Sequence, residues 1–111
     1  MITFDSIHET FVTFGAGDGL QPGQVCKITE NGTVGPCEAG DGICGVARSV
    51  RLGMAGVVMT GFVTLPYSGE VPTLGRVKLC ADGKGGVKVG GDTAYTVVKV
   101  VEGAGLVGFF L

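Results

Sequence analysis

Four cysteines and a single histidine are the side chains of this chain best suited to metal binding or thiol chemistry. Zinc sites usually bring ligands in close pairs such as Cys-x-x-Cys, because one turn must present two sulfurs to one ion. The closest pair here, Cys37 and Cys44, is more widely spaced, and no histidine lies near it. Without a secretory signal, disulfides are not expected either. We interpret the four cysteines as small, mainly buried apolar residues: Cys26, Cys37, Cys44 and Cys80.

The motifs of common enzymes are missing from the sequence. His8 stands in an N-terminal segment and is interpreted as a solvated side chain. Gly83-Lys84 resembles the end of a phosphate-binding loop, but Lys78 stands where that motif needs glycine and Gly85 where it needs Ser or Thr. No Gly-x-Ser-x-Gly elbow or calcium-binding loop is found. The sequence therefore predicts no catalytic, cofactor-binding or metal site, and a protein that is not an enzyme.

The charge of the chain is low and evenly spread. Charged residues make up 16% of the sequence, against about 25% in a typical soluble domain. The net charge of −2 and the dispersed lysines and arginines predict no nucleic-acid partner. No apolar run is long enough to cross a membrane, so we expect no membrane partner and a cytoplasmic place of synthesis. The shortage of charge favours an oligomer or a docked subunit; a monomer covered by glycine and threonine is the alternative.

Glycine turns alternate with short β-branched runs along most of the chain. Its 22 glycines in 111 residues are about three times the usual share of ~7%. Asn31-Gly32 is typical of a type I′ hairpin turn, in which both central residues have positive φ. On the strand before it, Cys26 and Ile28 are expected to face inward. The next predicted strand covers residues 43–50.

Two further runs indicate the fold class. The longest apolar run, residues 54–65, shows little polar alternation, as in a strand covered on both faces, and Gly56 and Gly61 could bend it. Val77, Leu79 and Ala81 alternate with a second face, to which we assign Cys80. Strands spaced about 8–12 residues apart predict an all-β fold, a small antiparallel β-barrel or sandwich with glycine-rich turns and little helix.

The N-terminal segment is the most aromatic part of the chain. Residues 1–14 are either an arm that pairs with another chain or the first strand of the core, and residues 15–111 are predicted to form a single β domain. An Ala-Gly-Asp-Gly tetrapeptide occurs at 16–19 and at 39–42. Because the flanking residues do not match, we interpret it as recurrent turn chemistry and not as a duplication.

The segment from Leu20 to Leu111 resembles the small capsid decoration, or cement, proteins of tailed phages and prophages. The motifs that carry the resemblance are Gly23-Gln24-Val25 leading to Gly32-Thr33-Val34, Ala39-Gly40-Asp41-Gly42-Ile43-Cys44-Gly45-Val46-Ala47, Gly61-Phe62-Val63-Thr64-Leu65-Pro66 and Val107-Gly108-Phe109-Phe110-Leu111. The resemblance implies a compact β domain that is made in a bacterial cytoplasm and assembles on the exterior of a phage head. It implies a trimer, or another small ring, bound to the major capsid protein.

The resemblance also implies that an N-terminal arm becomes ordered against the capsid. By position and character, the residues assigned to this partner-binding role are Ile2, Phe4, Phe11 and Phe14. Two alternatives stay open, namely a tail or baseplate β module and a small-ligand-binding barrel. The second is weakened by the absence of tryptophan and by the presence of only two tyrosines. An enzyme reading would need one cysteine of low pKa.

Overall fold

The computed structural model describes residues 9–111 and confirms the predicted all-β class. Within that range, the helical content is one short 3₁₀ turn, Glu102–Ala104. The strands are β1 Thr10–Ala16, β2 Val25–Glu30, β3 Thr33–Pro36, β4 Gly45–Arg51, β5 Met54–Thr60, β6 Phe62–Ser68, β7 Gly75–Ala81, β8 Val87–Val101 and β9 Leu106–Phe110. The expectations for Ile2, Phe4 and His8 fall outside the described residues.

Strands β1 to β5 form a closed barrel, which we call the first barrel. Its strand order is β1-β3-β2-β4-β5, and β5 returns to pair with β1. The pairings are antiparallel except for a short parallel contact of β1 with β3, at Gly15↔Thr33 and Ala16↔Val34. The fold is therefore mainly, but not wholly, antiparallel.

Strands β6 to β9 form a curled sheet of order β6-β9-β8-β7, which we call the second sheet. Strand β8 is 15 residues long and bends where Gly90 and Gly91 have positive φ. Its beginning also pairs in parallel with the end of β6, at Tyr67↔Val87. The bend lets one strand make contacts at both ends of the sheet.

Each pairing of the first barrel has a counterpart in the second sheet. Strands β6, β7 and β9 take the places of β1, β2 and β5, while β8 takes the places of both β3 and β4. The register of β4 with β5, including its bulge, is repeated between β8 and β9. The matching pairs are Val46↔Val58 and Thr96↔Phe110, Ala47↔Val57 and Val97↔Phe109, and Ser49↔Gly56 and Lys99↔Gly108. The two halves are thus one topology used twice.

A short sequence repeat accompanies the repeated topology. Strand β1 contains Phe11-Val12-Thr13-Phe14, and β6 contains Phe62-Val63-Thr64-Leu65. The two Ala-Gly-Asp-Gly tetrapeptides both lie in the first barrel, so they do not mark this repeat. The repeat is carried by matched strands and not by matched turns.

The two halves share part of their apolar core. Val25, Val46 and Val58 belong to the first barrel, yet they pack into the core of the second sheet around Phe109. A separate cluster that includes Val57 fills the interior of the first barrel. Burial of Val25, Val46 and Val58 across the junction therefore holds the halves together.

The join between the halves divides the longest apolar run of the sequence. Gly61, with φ of 127°, ends β5 and begins β6, so residues 54–65 form two strands in two different sheets. Residues with a side chain rarely adopt a positive φ of this size, whereas glycine does so readily. The bend expected at Gly61 is thus the boundary between the first barrel and the second sheet.

Three local expectations are corrected by the structure. The hairpin at Asn31-Gly32 forms, but only Gly32 has positive φ, so the turn is not type I′. Ile28 is 51% exposed instead of buried, although it pairs in register with the buried Val34, because it lies near the hairpin end of β2, where the last residues of the strand are exposed. Cys80 is buried instead of lying on an exposed face, because the register shift lies in β8 and brings Gly90 and Gly91 against its side chain. The inward face of Val77, Leu79 and Ala81 is confirmed.

Candidate interaction surface

Two of the four aromatic and aliphatic residues assigned to partner binding lie on β1. Phe14 is partly buried and packs against the core of the first barrel. Phe11 points outward, is 51% exposed, and lays its ring against Gly56, where a Cβ would collide with the ring. Ile2 and Phe4 are outside the described residues. The structure therefore places Phe11 on an accessible surface and Phe14 in the barrel wall.

Strand β1 has one edge without a strand partner over much of its length, within the described residues. It pairs with β5 from Thr10 to Gly15, but with β3 only at Gly15 and Ala16. Residues 10–13 are exposed. An unpaired strand edge offers a row of backbone N–H and C=O groups to any extended segment.

The backbone hydrogen bonds show which residues face that edge. The Ala16 N–H donates to Gly53 O on the β5 side at 2.9 Å, whereas the Gly15 N–H donates to Gly32 O on the β3 side at 2.8 Å. Because hydrogen-bonding direction alternates along a strand, Phe11 and Thr13 also direct their backbone groups away from β5. These two residues are the donors and acceptors of the open edge.

An apolar row crosses the outside of the first barrel and ends at Phe11. The register aligns Val25 with Val46, Val46 with Val58, and Val58 with Phe11. The three valines are buried by the second sheet, and Phe11 is not. The exposed Phe11 is thus the uncovered end of a row whose other members form the junction between the halves.

A cleft of about 290 Å³ lies at the junction. Its walls are Gly23 and residues 46–48 on one side, and residues 62–65 of β6 on the other. Arg48, in this wall, pairs with Glu9 at 3.0 Å between Nη2 and Oε2. The edge of β6 faces the first barrel across this cleft, so the edge of β6 is more enclosed than the edge of β1.

The surroundings of three cysteines favour the thiol form. Burial raises the pKa of Cys26 to about 12 and that of Cys37 to about 11, and burial also raises the pKa of Cys44. All four are free cysteines, and the buried Cys26 Sγ donates to Gly45 O at 3.5 Å. A thiolate is the nucleophilic form, so these surroundings disfavour thiol chemistry at Cys26, Cys37 and Cys44.

The best-defined charged contact lies at the β2 strand and the loop after β3. Lys27 Nζ donates to Asp41 Oδ2 at 2.7 Å, and the Glu38 N–H donates to the same oxygen at 2.8 Å. The hydrogen bond from Lys27 holds the pKa of Asp41 below its usual range, and Asp41 holds the pKa of Lys27 above its own. This contact fixes the loop after β3 against β2.

Two features are absent from residues 9–111. No group of three or more His, Cys, Asp or Glu side chains in this part of the chain is placed to hold a metal ion. Over the same residues, no helix has the length and apolar character needed to span a bilayer.

Sequence reasoning missed two residues of the exposed edge, Val12 and Thr13. Val12 is 38% exposed, and Thr13 presents backbone groups to the edge. The signal available was the run Thr10 to Phe14, which carries no charge and no proline, the two features that usually protect an edge strand.

Comparison with known proteins adds no family assignment. No protein-family model matches the sequence, and no curated protein is significantly similar to it.

Proposed function

We propose that the chain is a structural protein that binds the outside of a phage head as an oligomer and stabilises the capsid lattice. The resemblance described above supplies the head, the major capsid protein as partner, and three as the favoured number of copies. The observation that carries the proposal from this molecule is the uncharged, exposed edge of β1, with Phe11 half exposed beside it. Such an edge binds another protein by adding a strand and burying an apolar side chain.

A cement function needs binding area and mechanical cohesion and no reaction. The valine row that joins the two halves provides cohesion, because Val25, Val46 and Val58 are almost completely buried between them. The raised pKa values of Cys26 and Cys37 also suit a passive role, since both thiols stay protonated at neutral pH.

Co-sedimentation with heads of the phage or prophage that encodes the chain tests the proposal. The wild-type protein should pellet with heads that lack it and should raise their resistance to heat. Phe11→Ser should weaken binding at least tenfold, while Leu74→Ser, which removes a 67% exposed leucine from the loop before β7, should bind as the wild type. Wild-type protein that stays in the supernatant at micromolar concentration would exclude the proposal.

A small-ligand-binding barrel is the second candidate, and the junction cleft is the observation that favours it. Its volume of about 290 Å³ is at the lower end of the range for small-molecule sites. A screen of small metabolites by thermal shift tests this reading: a ligand that stabilises the wild type, but not Thr64→Trp, would place it in the cleft.

A further inference from the structure

We infer that the edge of β1 pairs with the same edge of a second copy of this chain, antiparallel across a two-fold axis. The inference deepens the proposed function by naming the occupant of this edge: another copy in the head-bound oligomer, and not the capsid. Its tests need no phage head, so they can fail or succeed separately from head binding. The inference concerns a contact between two copies, whatever number of copies assembles on a head. Three observations carry it: the missing edge protection, the backbone directions and the order of the side chains.

The missing protection is clearest by comparison with β6. In β6, Pro66 removes one backbone donor, and the first barrel walls the edge across the junction cleft. In β1, the run Thr10 to Phe14 has no proline, lysine or other charge, and its register shift lies before Phe11. Natural proteins protect edge strands with such devices, so their absence from residues 10–14, together with the exposure of residues 10–13, indicates an edge that is covered in use.

The backbone directions fix which residues can pair. Phe11 and Thr13 direct their N–H and C=O groups to the open edge, as the bonds of Gly15 and Ala16 show. In an antiparallel ladder, directly opposed residues whose groups face each other exchange two hydrogen bonds. Placing Phe11 opposite Thr13 of a second copy, and Thr13 opposite its Phe11, therefore forms four hydrogen bonds with no change in the barrel.

The order of the side chains fits the same register. The sequence Thr10-Phe11-Val12-Thr13-Phe14 then places Val12 opposite Val12, and each outward Phe11 beside an outward Thr13. Aromatic and β-branched residues are favourable cross-strand neighbours. Because no charge occurs in the run, no like charges oppose each other, as they would for most strands paired with themselves. A second copy is for this reason the occupant that the edge fits best.

Disulfide trapping gives a direct test of the register. In the proposed register, Val12 lies opposite Val12 of the second copy as a non-hydrogen-bonded pair. The Cα atoms of such a pair are about 4.5 Å apart, within the range that a disulfide can bridge. Under a glutathione redox buffer, Val12→Cys should form a covalent dimer on a non-reducing gel. Thr10→Cys is the matched control on the same exposed strand, since its counterpart lies several residues away along the paired strand. We expect at least tenfold more dimer for Val12→Cys, and equal yields would overturn the inference.

Blocking the edge supplies the second measurement. Thr13→Pro removes an N–H that β5 does not use, so in the Val12→Cys background it should abolish the covalent dimer without unfolding the barrel. Thr13→Lys places a charge at the same edge and serves if the proline variant fails to fold. Dimer yields unchanged by Thr13→Lys would overturn the pairing. Loss of head binding with no Val12→Cys dimer would also overturn it, and would assign the edge to the capsid.

Discussion

Phe11 and Phe62 occupy matching places in the two halves of this molecule, and their surroundings differ. Each begins a Phe-Val-Thr run, and each ring lies where a Cβ on a glycine of the neighbouring strand would collide with it, at Gly56 and Gly108 respectively. Phe62 is 5% exposed, whereas Phe11 is 51% exposed. Phe62 packs against Phe110, with 5.4 Å between the ring centroids, and Lys99 Nζ lies 5.9 Å from its ring centroid. The matching positions beside Phe11 hold the smaller Val58 and Ser49. The strand sequence and pairing are therefore alike, and the size of the side chains on the neighbouring strands differs.

The largest expected difference in stability is between removing the Phe62 ring and removing the Phe11 ring. Phe62→Ala should cost about 3–5 kcal/mol of unfolding free energy, because it leaves a cavity in a covered site. Phe11→Ala should cost about 1 kcal/mol, since roughly half of its apolar surface already faces water. Urea denaturation of both variants measures the difference, and costs within 0.5 kcal/mol of each other, about the error of such measurements, would contradict it.

The joint between the halves provides the next test. Gly61→Ala should destabilise the protein by about 1–3 kcal/mol, because an L-residue is strained at this φ of 127°. The added Cβ would also lie 3.2 Å from the Glu9 Cα. Gly103→Ala is the control, since its Cβ meets no atom within 4 Å. The shared core predicts a single unfolding transition in both variants, and two separate transitions would show that the halves fold independently.

A methyl group added under each ring sharpens the comparison further. In Gly108→Ala, the Cβ would lie 2.7 Å from the Phe62 ring and 3.0 Å from the Lys99 stem, so we expect a cost of about 1–3 kcal/mol. In Gly56→Ala, the Cβ would meet the Phe11 ring and lie 2.7 Å from Ser49 Oγ. Both side chains are exposed and can turn toward solvent, so the cost should be below about 1 kcal/mol. Thermal denaturation of the two variants would refute this account if Gly56→Ala proved the more damaging.

The smallest effect concerns the ion pair of the first barrel. The lowered pKa of Asp41 means that its carboxylate stabilises the fold above its ordinary pKa of 3.8, and that this contribution fades as the pH falls through the lower folded value. Asp41→Asn should therefore be less stable than the wild type at pH 7, with the gap closing below pH 3.8. Stability curves from pH 7 down to strong acid measure the gap, with Lys78→Met as a control for removal of a surface charge.

Much of the fold could be predicted from the sequence, because side-chain alternation and glycine turns each depend on a short stretch of chain. Side-chain alternation located the buried face of Val77, Leu79 and Ala81, and glycine turns located most strand ends. The burial of Ile28 and Cys80 did not follow the same rule. Ile28 lies near the exposed hairpin end of β2, and Cys80 is covered on the other face by β8, where the register shift bends that strand. Bulges depend on pairing across strands, so alternation within one strand cannot reveal them.

The site was harder to predict than the fold. Phe11 was singled out by its aromatic character, but nothing within residues 1–14 distinguishes it from Phe14, which the barrel partly buries. The duplication was visible in the sequence as Phe-Val-Thr at 11–13 and 62–64, a match that turn motifs concealed. Recognising it would have predicted two related β units and directed attention to Phe11, which has Val58 and Ser49 beside it where Phe62 has Phe110 and Lys99.

The valine row at the junction has a consequence for the order in which the chain is synthesised. The first barrel emerges from the ribosome before any residue of the second sheet, so Val25, Val46 and Val58 face water until their cover is made. That cover is completed by β9, which lies between β6 and β8 although it follows both in the chain. The nascent chain thus exposes an apolar stripe during most of its translation, a period in which chaperone binding or rapid completion protects it from aggregation.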